Sequence, residues 1–177
     1  MIDKKNEIRK EFLLIRDKIP ITRRAVAERN LLKIADFNFS KILSFSSFKK
    51  EINLTKLNQL LASENRLLLP KMVNNTLEIF EVSNLETDLV PSLKFNILEP
   101  NPIFCKKFPV NKISCVLVPG LIFDIDNNRI GYGKGYYDNF LRNINSLTIG
   151  VGFIEQLFND ILPVHDYDIK LKQLLLF

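Results

Sequence analysis

Tryptophan is absent from this 177-residue chain, histidine occurs once, and there are only two cysteines and six glycines. Cys105 and Cys115 provide neither a disulfide framework nor metal-ligand spacing, so a reduced, cytoplasmic setting is expected. With His165 alone, no Ser/His/Asp or Cys/His arrangement can be argued, and a lone histidine is more often an ordinary surface or core residue. No apolar run is long enough to cross a bilayer. The charges between Lys4 and Lys10 are unlike a signal peptide, so none is expected.

An excess of one charge is also missing from most of the chain. The net charge is +5, but residues 1–33 hold ten of the 25 Lys/Arg and five of the 20 Asp/Glu, and the remaining fifteen of each cancel. A nucleic-acid protein would more often carry a broad basic stripe with interleaved aromatics. A basic first helix beside a phosphate site fits an anionic small molecule equally well.

What is present is organised around its glycines. None precedes Gly120, and three stand within five residues in Gly131-Tyr132-Gly133-Lys134-Gly135-Tyr136-Tyr137-Asp138. Glycine reaches positive φ cheaply, so closely spaced glycines let consecutive N–H groups converge on an anion. Ile113 to Val118 reads as a buried strand before this run, and Tyr136 to Asn143 as a helix after it. A glycine turn opening a helix is a phosphate site, to which Lys134 adds a mobile charge. The pattern is not a P-loop, because no Ser or Thr follows a Gly-Lys pair at the required spacing. It is not a dinucleotide fingerprint either, since the spacing is G-x-G-x-G and a polar run, Asp124 to Arg129, separates it from the strand.

Residues 3–18 read as a helix with Ile8, Phe12, Ile15 and Ile19 as its apolar stripe. Lys5 and Arg9 are four apart on one face, and Pro20 ends the helix. Thr22 is expected to cap a second helix running to about Asp36. Further elements are a strand at Lys41–Phe45, a helix capped by Asn53 with Leu54, Leu57, Leu60 and Leu61 inward, and a strand at Arg66–Pro70. Asn74-Asn75 reads as a hairpin turn into Thr76–Val82. Residues 83–112 read as loop. A strand at Thr148–Phe153, a helical turn at Glu155–Asn159 and a last strand at Leu174–Phe177 complete the pattern. Alternating strands and helices predict a single α/β domain over residues 1–177, with a mostly parallel central sheet as a three-layer sandwich, Rossmann-like but without the dinucleotide fingerprint. Ligands then bind at the carboxyl ends of strands, which gathers the loops around Glu51, Arg129–Asp138 and Asp166.

The segments Val118-Pro119-Gly120-Leu121-Ile122-Phe123-Asp124 and Arg129 to Leu141 closely resemble the signature of the 5-formyltetrahydrofolate cyclo-ligase (methenyltetrahydrofolate synthetase) family. Lys5-Asn6-Glu7-Ile8-Arg9 resembles its lysine-x-x-leucine-arginine motif. Ser47 with Glu51-Ile52-Asn53 resembles its central serine–glutamate element. Pro70-Lys71, Glu99-Pro100, Gln156, Leu162-Pro163 and His165-Asp166 match shorter signals. The last strand departs from the family's acidic or threonine-bearing ending. The resemblance implies ATP- and magnesium-dependent conversion of 5-formyltetrahydrofolate to 5,10-methenyltetrahydrofolate through a phosphorylated formyl group, in one-carbon metabolism. It implies ATP contacts from Lys5, Arg9, Arg129, Gly131, Tyr132, Gly133, Lys134, Gly135, Tyr136 and Tyr137, with Lys134 and Arg9 acting in catalysis. Folate contacts would come from Ser46, Glu51, Arg9 and Tyr136, and magnesium ligands from Asp138 and Asp166. Neither a nucleic acid nor a membrane partner is expected. The alternative is a nucleotide- or RNA-binding module that uses the basic first helix.

Overall fold

The computed structural model describes residues 2–177. Helix α1 (Ile2–Lys18) stops before Pro20, whose ring cannot join an ongoing helix. Its buried positions are Lys5, Ile8, Phe12 and Arg16, spaced 3, 4 and 4, which is one helical face, and Ile19 just beyond its end is buried too. Arg16 takes the place expected of Ile15 in that stripe, and Ile15 is only partly buried. Helix α2 (Ile21–Leu31) has Pro20 at its N-cap position and no side-chain cap, so Thr22 lies inside the helix rather than capping it. The chain then tightens into a 3-10 turn over Leu32–Asp36.

Strand β1 (Ile42–Leu43) leads through the loop of residues 44–54 to α3 (Thr55–Ser63). The expected cap shifts by one residue: Leu54 stands at the N-cap without a side-chain bond, and Asn53 before it accepts the Thr55 N–H with its Oδ1. Leu57 and Leu61 are inward, but Leu60 is 39% exposed and Asn58 is buried in its stead, bonded to Ser44 and Phe45. Strands β2 (Leu67–Val73) and β3 (Thr76–Glu81) form a hairpin turned by Asn74 and Asn75, both at positive φ. Residues 83–112 are not all loop. They hold a second hairpin, β4 (Leu89–Pro91) with β5 (Leu98–Pro100), whose prolines fit short edge strands.

Strand β6 (Cys115–Pro119) is followed by a tight hairpin, β7 (Ile122–Asp124) and β8 (Arg129–Ile130). The polar run that separates the glycine loop from β6 is the turn of this hairpin. Its organiser is Asp124, fully buried, which accepts the N–H groups of Asp126, Asn128 and Leu162. Helix α4 (Tyr136–Leu141), strand β9 (Leu147–Gly152), β10 (Leu157–Phe158) and β11 (Gln173–Leu176) complete the chain.

The main sheet runs β11-β9-β6-β1-β2-β3, with every pairing parallel except β2 with β3. A three-stranded sheet, β10-β7-β8, lies apart from it in pairing. Strand residues alternate between two apolar clusters, as the twofold period of a strand requires. Ile42, Leu67, Leu69, Leu117 and Ile149 gather with α2 and α3; Leu43, Leu68, Val116 and Val118 gather with Leu141 of α4. Ile8 and Phe12 of α1 pack on Leu121 and on Ile122 and Ile130 of the smaller sheet. This fixes α1 beside the glycine loop, which directly follows β8. The fold is mixed α/β with a mostly parallel central sheet.

Candidate active site

One cavity of about 540 Å³ is walled by the ends of β1, β2, β6 and β8, by α1 and by the glycine loop. It sits at the carboxyl end of the parallel strands, as this fold class requires. Lys5, Arg9, Ser46, Glu51, Arg129 and every residue from Gly131 to Asp138 line it. Asp166 does not. That position is exposed and off the wall; Asp168, two residues on, faces the cavity together with His165 and Tyr167.

The glycine run serves two different needs. Gly133 (φ +88°) and Gly135 (φ +69°) adopt the left-handed backbone that other residues avoid. Gly131 has ordinary φ but faces a side chain, since a Cβ there would stand 2.9 Å from Arg129 Nη1. Helix α4 has six residues, shorter than the expected Tyr136–Asn143. Its dipole is correspondingly small, so anion affinity must come from loop N–H groups and from cations.

Four cations converge on the cavity. Arg9 Nε donates to the Gly131 carbonyl (3.0 Å) and Arg9 Nη1 to Asn6 Oδ1 (2.6 Å), which lays its guanidinium 3.3 Å from where a Cβ on Gly133 would be. Lys5, buried, is paired with Asp168, whose carboxylate also accepts the His165 N–H. The Arg129 side chain is 4% exposed and bonds Asp138 Oδ1 at 2.8 Å, with its guanidinium 5.7 Å from the Tyr137 ring centre. Lys134 is exposed at the rim.

The loop after β1 contributes a different chemistry. Ser47 closes it internally, donating to Ile52 and accepting from Leu54. Glu51 Oε2 accepts the Phe48 N–H at 2.8 Å. Burial pushes the Glu51 carboxyl up to about 7, against the opposing pull of that hydrogen bond and of the Arg16 charge. Four rings run in edge contact along the cavity: Tyr132–Phe48 (5.4 Å), Phe48–Phe95 (6.1 Å) and Phe95–Tyr136 (6.5 Å). Glu99, buried, accepts the Met72 N–H and lies 3.8 Å from Lys71, tying the β4–β5 hairpin that carries Phe95 to β2. Burial raises the Tyr137 phenol, so it stays protonated and can donate. Burial holds the Cys115 thiol up to about 12, which rules it out as a thiolate nucleophile.

The Glu51 environment has a consequence for stability. A carboxyl raised by folding contributes stability below its unfolded-state value and loses it as pH rises through the folded value. Unfolding titrations from about pH 5 to about pH 8 should therefore show wild type losing on the order of 2–3 kcal/mol that Glu51→Gln retains. Parallel curves for the two proteins would contradict this environment.

Sequence reasoning missed Arg16, Asp168, Phe48, Phe95 and Tyr167. Periodicity treats a charged residue on a helix as exterior, and a choice between Asp166 and Asp168 needs the loop's path. Among the described residues, no cluster of three or more His, Cys, Asp or Glu side chains could hold a metal. Besides Glu51 and Glu99, the wall offers two carboxylates, Asp138 and Asp168, each already shared with a cation. That donor set suits a magnesium ion carried mainly by ligand phosphates. No described helix is long and apolar enough to cross a membrane.

The sequence model for the 5-formyltetrahydrofolate cyclo-ligase family matches residues 1–176. The mouse 5-formyltetrahydrofolate cyclo-ligase is 33% identical over 101 residues, which are 52% of this chain and about half (49%) of that protein. The Haemophilus influenzae protein of the same name is 28% identical over 183 residues, covering 97% of each. The solved structure of Aquifex aeolicus 5,10-methenyltetrahydrofolate synthetase matches with a TM-score of 0.85 at 28% identity, over 96% of this chain and 88% of that one.

Proposed function

The chain belongs to the 5-formyltetrahydrofolate cyclo-ligase family, and from that premise we propose that it uses ATP to close 5-formyltetrahydrofolate into 5,10-methenyltetrahydrofolate, releasing ADP and phosphate. The observation that carries this reading is a single cavity joining a left-handed glycine loop and four cations to a carboxyl and a row of aromatic rings. Its size suits small-molecule substrates.

The amide-like formyl oxygen is a poor leaving group. Transfer of the γ-phosphoryl group to it makes a good one, after which nitrogen-10 attacks the activated carbon and phosphate departs. Such chemistry asks the protein for positioning and charge stabilisation. Lys5, Arg9, Arg129 and the N–H groups of residues 131–135 hold the phosphates, and Lys134 follows the transferred group from the rim. Glu51 binds the pterin's donor edge, with Ser46 beside it. Tyr136 and the aromatic row border the reacting carbon. Magnesium, when bound, neutralises phosphate charge. Asp138 and Asp168 are the side chains that would hold it, in place of the exposed Asp166.

The rival reading, an RNA-binding module built on α1, has less support. Two of the helix's cations, Lys5 and Arg16, point inward and are buried, so they form no surface stripe. The test is the absorbance of the methenyl product. It should grow only when ATP and magnesium are both present, and omission of either should abolish it. Product formed without ATP, or salt-sensitive RNA binding with no folate turnover, would contradict the proposal.

A further inference from the structure

Arg16 is the largest side chain among those fully buried, at 1% exposure. The ion pairs among the described residues do not include it. Its Nη2 donates to the Tyr132 hydroxyl, and its guanidinium carbon lies 5.5 Å from the Tyr132 ring centre. Nε and Nη1 have no partner. A buried guanidinium without a carboxylate is costly, and apolar residues of similar volume are often more stable in such places. Stability therefore does not explain it, and departures of this kind tend to serve function.

Arg16 does not line the cavity, but Tyr132 does. Tyr132 is the first ring of the aromatic row, packed edge-on against Phe48, and Phe48 donates its N–H to Glu51. The hydroxyl bond to Arg16 is thus the anchor at one end of a chain that ends at the carboxyl. We infer that Arg16 is a positioning residue for the folate side of the cavity: it fixes the Tyr132 hydroxyl and so holds the Tyr132–Phe48 wall at the place where the substrate's flat ring packs. The inference rests on the proposed cyclo-ligase reading. The Arg16 charge also opposes the effect of burial on Glu51, which favours the ionised, accepting form on that side.

The experiment measures turnover with each substrate varied in turn, plus thermal unfolding, for Arg16→Met, Tyr132→Phe and the double variant. Arg16→Met should raise the KM for 5-formyltetrahydrofolate about tenfold while the KM for ATP stays within about twofold. Its Tm should not fall. Tyr132→Phe keeps the ring but deletes the bonded hydroxyl, and should raise the same KM alone. The double variant should be no worse than the worse single one, because both remove the same anchor. An unmoved folate KM, equal rises in both KM values, or additive effects in the double variant would each overturn the inference. Should Arg16→Met fail to fold, Tyr132→Phe decides alone. A wild type without ATP-dependent turnover overturns the parent reading and this inference with it, whereas an active wild type with unmoved variants overturns only the inference.

Discussion

Gly133→Val is expected to lower kcat/KM for ATP by at least about a hundredfold. Two separate costs add at this position. The backbone stands at φ +88°, where a β-branched residue is a genuine outlier and the loop would have to re-thread. A Cβ would also stand 3.3 Å from the guanidinium carbon of Arg9, so the side chain that closes the proposed phosphate cradle would be pushed off the Gly131 carbonyl. Gly135→Ala is the matched control. It too has positive φ, but nothing lies within 4 Å of the added carbon, so only a backbone cost of about 1 kcal/mol is expected. Steady-state kinetics with ATP varied separate the two. Equal effects would mean that the Arg9 contact is irrelevant, and an unchanged Gly133→Val would remove the cradle.

Asp138→Asn is expected to cost both turnover and stability. Asp138 is the counter-charge of Arg129, whose side chain is 4% exposed and whose Nε already lacks a partner. Breaking a buried pair by neutralising one member typically costs about 3–5 kcal/mol, because the remaining charge stays buried. The 20% exposure of Asp138 admits water and moves the figure toward about 2 kcal/mol. Tm should fall by roughly 5 °C in a chain of this size. Turnover should fall further, since Arg129 is then free to leave its proposed place against the phosphates. A variant with wild-type Tm would show that Arg129 has another counter-charge. A destabilised variant with full activity would detach the pair from the site.

How much of this was legible in the sequence depended on whether a local rule applied. The glycine loop was legible because a chain with six glycines places two of three here at positive φ. The hairpin at Asn74-Asn75 was legible for the same reason, as its turn is made within a few residues, whereas the start of α3 falls one residue after the expected Asn53, at Leu54. The parallel sheet followed from the alternation of strands and helices. The short hairpins β4–β5 and β7–β8 were missed, being too brief for a period to register. Arg16 was hidden by the rule that charge faces water, and it broke that rule through a tyrosine 116 positions away. That Asp168 lines the cavity and Asp166 does not goes with the pairing of Asp168 to Lys5, 163 positions away. Cavity residues set by long-range pairing leave no local trace.

In the proposed reaction the formyl oxygen of the substrate receives the phosphoryl group of ATP. Turnover of 5-formyltetrahydrofolate carrying heavy oxygen in its formyl group tests this directly, by mass spectrometry of the phosphate released. One heavy oxygen per phosphate, at the enrichment of the substrate, is the expected result. Unlabelled phosphate, with the heavy oxygen recovered in water, would contradict it.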